Sequence, residues 1–529
     1  MKGPLAALLL VATLLGAGCL SSTETPASTA GAKLGAGATI KDTLALVSTA
    51  GDNLSGAPVS GVVPAIFDVH HDGGEPTIGI TKDGTLFYAG ATFKNDVAGQ
   101  NPCTGLFPAN PVAGDPLCFP RTDILRSEDG GKTWKDVTPY LPGGLVREHW
   151  DTGDPYVYVD PATDRVFDID QRLQLTCHTV TTSDDKGASW DPVDGKACQT
   201  PPADHQTIVA AKPRMLVTTP LYPDVVYYCN NQIAASSCAR SLDGAQTFQA
   251  IPPPYLGASP SDGLPVDPDN VFGPGFCGGL HGHLKAAPDG TVYLPKAQCG
   301  HPEVAVTQDD GTSWSEVVVA PGMRAAGDPT VAVDRNNTAY YVFIDRDDWH
   351  LYLSSSKDAG AHWTKPVDVT VPGVEATNLP ALVAGDDGRL ALAYVGTTTR
   401  NAYNISADNV SALNNETWDG YLAVITGANA EKPTVTTARV NAPGDPIVRG
   451  QCGPGRCRTL FDFIDVQMDK DGRPWVALVD NCVDACANAT GTAKDSVARA
   501  GFVTTFEQGP GLLAAMPTLP PIHAAGKTG

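Results

Sequence analysis

Acid and imidazole side chains recur in this chain at the start of short apolar runs. Glu75-Pro76-Thr77-Ile78-Gly79-Ile80, Asp154-Pro155-Tyr156-Val157-Tyr158-Val159 and Asp328-Pro329-Thr330-Val331-Ala332-Val333 share a carboxylate, a proline and an apolar run. Looser copies open at His205-Gln206-Thr207, at His281 or His283, at Asn378-Leu379-Pro380 and at Asp462 or Asp465. Carboxylates whose surroundings split their pKa values can act as acid and base, which makes Glu75, Asp154 and Asp328 the catalytic candidates. Asp151, His205, His281, His283, Asn378 and Asp462 are the ligand-binding candidates, and such a ring could hold a cation such as calcium. The structural alternative is that Asp or Asn before Pro simply opens a turn. No Gly-rich phosphate loop, His-Glu-x-x-His helix or Gly-x-Ser-x-Gly elbow occurs in the context it requires. The polar cluster Asp345, Asp347, Asp348 and His350 reads as a solvated turn.

The elements that must position these residues are themselves repeated. Each polar start leads into a hydrophobic strand, a turn such as Lys82-Asp83-Gly84 or Pro288-Asp289-Gly290, and a second strand. A second motif of the form Ser/Thr-x-Asp-x-Gly-x-Thr/Ser-Trp follows at Ser127-Glu128-Asp129-Gly130-Gly131-Lys132-Thr133-Trp134. It recurs from Ser183 through Asp185 to Trp190, from Thr307 through Asp309 to Trp314, and from Ser356 through Asp358 to Trp363. A degenerate copy runs from Ser241 through Asp243 to Thr247-Phe248, with Ala245 in the glycine position. Asp bonds nearby amides and fixes a hairpin turn. Gly gives the turn its backbone freedom, and Trp buries a large ring on neighbouring strands.

The motif resembles the Asp-box, or BNR repeat, of the sialidase superfamily. The resemblance implies a β-propeller with the boxes on outer hairpins, away from the active face, so that Asp129, Trp134, Asp185, Trp190, Asp243, Asp309, Trp314, Asp358 and Trp363 are structural. Counting the polar starts predicts seven four-stranded antiparallel blades; six blades with one unit outside the ring is the alternative. In such a ring the polar starts surround the central funnel. Composition agrees with an all-β chain of short strands and tight turns: 529 residues hold 55 Gly and 44 Pro, with 18% charged. The propeller is expected over residues 39–507, with Ile40 to Ser48 closing the last blade beside Ala498 to Phe506, and a disordered tail over 508–529.

The resemblance to sialidases implies a carboxylate clamp of three Arg, a Tyr–Glu nucleophile and an Asp acid/base. The first clamp Arg belongs to an Arg-Ile-Pro motif opening the first blade, where this chain has Gly74-Glu75-Pro76-Thr77. Two classes therefore stay open: a module binding an extracellular glycan or protein, and a glycoside hydrolase using funnel carboxylates. The net charge of -22 excludes a basic nucleic-acid footprint and disfavours an anionic membrane surface.

The N-terminus reads as an export signal. Lys2 precedes an apolar stretch from Leu5 to Leu15, too short to span a bilayer, and then Gly16-Ala17-Gly18-Cys19. This resembles a lipobox, which implies a signal peptide over 1–18, lipidation of Cys19 and a flexible tether over 19–38; ordinary cleavage and secretion is the alternative. Without Cys19, the thirteen cysteines leave twelve in close sequential pairs: Cys103/Cys118, Cys177/Cys198, Cys229/Cys238, Cys277/Cys299, Cys452/Cys457 and Cys482/Cys486. Neighbour pairing is the economical expectation, and six disulfides fit an oxidising compartment. The expected protein is a monomer that meets the membrane only through its anchor.

Overall fold

The computed structural model describes residues 62–71, 73–92, 121–139, 152–172, 177–191, 197–198, 204–215, 221–232, 235–256, 279–399, 416–441, 444–450, 452, 462–483, 486 and 500–522. The readings at residues 1–48, Cys103, Cys118, Asp151, Cys277 and Cys457 lie outside them.

The chain is an all-β, seven-bladed propeller. The inner strands of the blades are, in order, Gly74–Ile80, Thr152–Val159, Asp204–Ala211, Lys285–Ala286, Ala325–Val333, Ala376–Ala384 and Asp465–Met468. Each opens an antiparallel sheet whose neighbours follow in sequence outward, and each inner strand packs on the next until blade 7 returns to blade 1. The second strands are buried along their length, as in Val225–Asn231, Val292–Gln298, Ala339–Asp345 and Pro474–Asp480. They read as near-continuous apolar runs because a blade has a neighbour on both faces. The core therefore lies between blades. Its largest cluster joins blades 5, 6 and 7 through residues such as Tyr340, Leu392, Trp418 and Leu478.

Ring closure follows the expected logic with a different strand. Val63–Asp68 pairs antiparallel with Ala500–Gln508 as the outermost strand of blade 7, so the first described strand joins the last blade. Closure of this kind removes the exposed edge that an open ring would leave.

The expectation of a disordered tail from 508 is corrected over the described part. Pro510–Leu513 and Met516–Thr518 form a hairpin. Its Leu512 is fully buried; the Leu512 amide donates to Gly472 O at 2.8 Å and its carbonyl accepts from Asp386 N at 2.9 Å. Arg389 Nη1 donates to Gly511 O at 3.0 Å. The hairpin thus bridges the inner turns of blades 6 and 7, the two blades without a Ser/Thr-x-Asp turn. A Pro- and Ala-rich composition concealed it, because three buried leucines, Leu512, Leu513 and Leu519, are enough to dock so short an element.

Disulfides join Cys229 to Cys238, directly opposite across two strands of blade 3, and Cys482 to Cys486. Cys299 and Cys452 are also disulfide-bonded. The backbones of Cys177 and Cys198 face each other across blade 2. Among the described residues, no helix is long and apolar enough to cross a membrane.

Candidate functional site

Antiparallel order puts the start of each inner strand on one face of the ring and the turn between third and fourth strands on the other. The starts share an irregularity. In blades 1, 2, 3 and 6 the pairing of the inner strand slips by one residue, between Gly74 and Thr77, Gly153 and Tyr156, Asp204 and Thr207, and Asn378 and Ala381. Blade 5 slips between Ala326 and Thr330. Inside these bulges sit left-handed residues: Glu75 at φ 52°, Asp154 at 46°, His205 at 51° and Leu379 at 51°, with Gly327 at 63° in blade 5. A non-glycine residue pays about 1–2 kcal/mol for that conformation, so something must hold it.

What holds it is the adjoining blade. Glu75 Oε2 accepts the amide of Asp154 at 3.2 Å, and Asp154 Oδ2 accepts the amide of His205 at 2.8 Å. Gln206 Nε2 donates to the Asp154 carbonyl. One turn further in, Thr77 Oγ1 accepts the amide of Val157 at 2.9 Å, Thr207 Oγ1 that of Leu284 at 2.9 Å, and Asp465 Oδ2 that of Ile78 at 3.2 Å. Two predicted catalytic carboxylates, Glu75 and Asp154, are therefore successive links in a chain of inter-blade hydrogen bonds.

His205 reaches across the funnel. Its Nε2 lies 3.1 Å from Asp328 Oδ2, tying blade 3 to blade 5. The imidazole stacks on His283 with centroids 5.8 Å apart, meets His281 at 5.7 Å, and takes the edge of Phe463 from blade 7 at 5.4 Å. These side chains close the funnel floor down to a cavity of about 20 Å³, room for one water-sized group.

Burial sets the electrostatics. It pushes Asp154 up to about 7, with Asp204 adding to the rise. It also raises Asp328 and Asp465, against the pull of His205 and Lys285 respectively. Burial alone would lower His205, but Asp328, Asp154 and Asp462 hold it well above its ordinary value, as an imidazolium. His281 and His283 are held well below theirs by burial and by the charge on His205.

The structure thus brings together Glu75, Asp154, His205, His281, His283, Asp328 and Asp462. Asn378 stands slightly apart: it is buried, its Oδ1 accepts the amide of Leu379, and Leu379 lines the cavity in its stead. Sequence reasoning gave no site role to Asp204, Lys285 or Phe463, each within two residues of one that it did single out. It also passed over Lys296, fully buried on blade 4, with Nζ 3.3 Å from Ser236 Oγ and over the Tyr255 ring, and lowered to about 7 by burial. An isolated Lys in an apolar run was the available signal. Among the described residues, no group of three or more His, Cys, Asp or Glu is placed to hold a metal ion.

On the opposite face the carboxylate of each Ser/Thr-x-Asp turn is satisfied within its own turn. In blade 4, Asp309 Oδ1 accepts from Thr307 Oγ1 and Ser313 N, both at 2.9 Å, and Oδ2 accepts from Ser313 Oγ at 2.6 Å. Asp129, Asp185, Asp243 and Asp358 repeat the pattern. Trp190 Nε1 donates to Val137 O of the preceding blade at 2.7 Å, and Trp363 packs edge-on to Tyr341. The Asp345 cluster is a tight turn on the funnel face, with Arg324 paired to Asp347 and His350 2.9 Å from Asp368.

No family model matches the chain, and no curated protein matches it. Solved structures do. A protein of unknown function from Dyadobacter fermentans is 12% identical over 83% of this chain and 98% of its own, with a TM-score of 0.43. The intramolecular trans-sialidase from Ruminococcus gnavus is 13% identical over 76% and 89%, at 0.36. The Aleuria aurantia lectin is 8% identical over 70% and 96%, at 0.36.

Proposed function

We propose that the chain is an exported, sialidase-like Asp-box propeller, anchored through a lipid on Cys19 or secreted, which binds an extracellular glycan or protein ligand at its funnel. The observation that carries this reading is the commitment of the funnel acids. Glu75 and Asp154 are engaged by backbone amides and Asp328 by His205. The floor leaves about 20 Å³, whereas pockets that engulf a small-molecule ligand hold about 300–1,000 Å³. A ligand would be read at the funnel mouth. Export is supported by the leader-like N-terminus and by the disulfides. The acidic charge supports a monomer without nucleic-acid partners, touching the membrane through its anchor alone.

A second reading, glycoside hydrolysis, draws on Asp154. A carboxyl group raised to about 7 by burial has the property that a general acid needs. Screening the mature chain against chromogenic glycosides, beside a glycan array, separates the two. Binding without turnover is expected. Turnover abolished by Glu75→Gln or Asp154→Asn would replace binding with hydrolysis.

A further inference from the structure

Blade 4 carries a buried amine that the funnel does not use. Lys296 lies on the strand Val292–Gln298, on the side that packs against blade 3. It is fully buried. Its Nζ lies 3.3 Å from Ser236 Oγ and 5.2 Å from the centroid of the Tyr255 ring, both on blade 3. One hydroxyl and one ring are a poor substitute for the water that an ammonium gives up on burial. Burial accordingly lowers the amine to about 7, against the pull of Glu316 and Glu303.

Two groups stand beside it. Glu303 is its direct partner across two strands of blade 4 and is fully buried, and side chains so paired leave the sheet on the same face. Asn231 is the direct partner of Ser236 across two strands of blade 3. That pairing sets its Cβ about 4.5–5.5 Å from the Cβ of the serine that Lys296 touches. Asn231 is 6% exposed, and its Oδ1 has no hydrogen-bond partner. An amine, a carboxylate and a carboxamide thus meet in one buried patch between blades 3 and 4. The next cross-strand pair on that face of blade 3, Cys229 and Cys238, is already covalent.

We propose that Lys296 and Asn231 join in an intramolecular isopeptide bond, with Glu303 as the proton carrier. The Nζ lone pair attacks Asn231 Cγ. The Glu303 carboxylate takes the proton that Nζ sheds and passes it to Nδ2. The Cγ–Nδ2 bond breaks, ammonia leaves, and an Nζ–Cγ amide remains. Nothing is oxidised or reduced, and no co-reactant enters. Groups held as fixed neighbours have the high effective concentration that such a step needs. The product ties blade 3 to blade 4 at the funnel end of their interface, beside the disulfide.

The test digests the mature chain with trypsin after reduction and alkylation, and reads the peptides by tandem mass spectrometry. Unjoined, the chain releases residues 215–240, which hold Asn231, and is cleaved after Lys296. Joined, it gives one branched peptide of residues 215–240 and 286–324, uncut at Lys296 and lighter than the two together by one ammonia. The branched peptide is expected as the major form. Lys296→Met should abolish it. Glu303→Gln, folded by circular dichroism, should reduce it at least about tenfold, since a positioned proton carrier contributes about 10²–10⁴-fold in rate. The wild-type digest decides the bond whether or not the variants fold. Cleavage at Lys296 with both peptides at full mass overturns the proposal. So does a bond elsewhere: loss of water would mark Glu303 or Glu316 as the acyl partner, and loss of ammonia within 286–324 alone would mark Gln298. An undiminished branched peptide in Glu303→Gln would overturn the role of Glu303.

Discussion

The two faces of the ring use the same residue type for opposite ends. On one face, Asp129, Asp185, Asp243, Asp309 and Asp358 each gather donors from within four residues of themselves. Those donors hold the carboxylates low: Asp358, bonded by His362, drops to about 2, and Asp185, bonded by Ser189, falls as well. For Asp129, Asp243 and Asp309 burial opposes the fall and the donors still prevail. On the funnel face, Asp154 spends its carboxylate on another blade and Asp328 on an imidazole across the axis, and burial drives both up. A turn that satisfies itself can be repeated unchanged around a ring. A joint that depends on its neighbour is particular to its place, which is where specificity can reside.

The comparison breaks most sharply at His205. Removing its ring leaves Asp328 buried without its partner, a change that costs about 3–5 kcal/mol in comparable buried pairs. His205→Ala should therefore lower the urea midpoint of the whole ring by a large margin. An unfolding free energy within about 1 kcal/mol of wild type would mean that the bolt across the funnel contributes little, and that the two faces differ less than the geometry indicates.

The faces should also separate by pH. Asp154 has a folded pKa of about 7, above its ordinary 3.8. Its contribution is most favourable when protonated in both states and declines as pH rises from about 4 to 7. His205, raised from 6.5, stabilises fully below that value and loses its contribution as pH climbs through its higher folded pKa. Asp358 and its counterparts have depressed values, so they stabilise above about 4 and lose that contribution as pH falls toward 2. Thermal melts of the wild type should thus decline on going from pH 5 to pH 9. Asp154→Asn should flatten the acidic half of the decline and His205→Gln the alkaline half, while Asp358→Asn should change only the fall below pH 4. Parallel curves for all three variants would erase the distinction.

How much of this was legible in the sequence follows the same division. The Ser/Thr-x-Asp turns were plain because the bonds to the carboxylate of each motif's Asp lie within the motif, so local residues specify the turn. The inner strands were also legible, and with them the count of seven blades, because each polar start is followed by an apolar run. Their partners were not. Nothing near His205 announces that Asp328, more than a hundred positions away, stands 3.1 Å from its ring, nor that Phe463 arrives from the last blade. The reading of Asn378 slipped by one residue because Leu379, not a polar side chain, takes the left-handed position in blade 6. The docked hairpin at 510–518 was missed for a related reason: its stability comes from turns of blades 6 and 7, not from its own composition.

Within the self-contained face, smaller effects grade the turn itself. Gly311 sits at φ 76° with the Cδ1 of Ile251, on the preceding blade, 2.7 Å from where a Cβ would lie. Gly311→Ala should cost about 1–2 kcal/mol from the left-handed backbone, plus whatever part of the clash Ile251 does not relieve by moving. Asp309→Ala should cost about 1 kcal/mol, because the orphaned hydroxyls and amides of the turn can turn to water. A larger loss at Asp309 than at His205 would reverse the ranking of the two faces.

The smallest effect belongs to blade 3, where Ala245 occupies the glycine position at φ 72°. Its methyl is fully buried in a cluster with Phe167 and Val180 of blade 2. Ala245→Gly releases about 1 kcal/mol of backbone strain. It gives up about 0.8 kcal/mol for one buried carbon and a further few tenths to the freer unfolded chain. These terms nearly cancel, so the variant should melt within about 2 °C of wild type. A clear rise would show that strain dominates at this turn and that blade 3 keeps its alanine at a cost. A clear fall would show the methyl to be the joint between blades 2 and 3, as Ile251 against Gly311 is between blades 3 and 4.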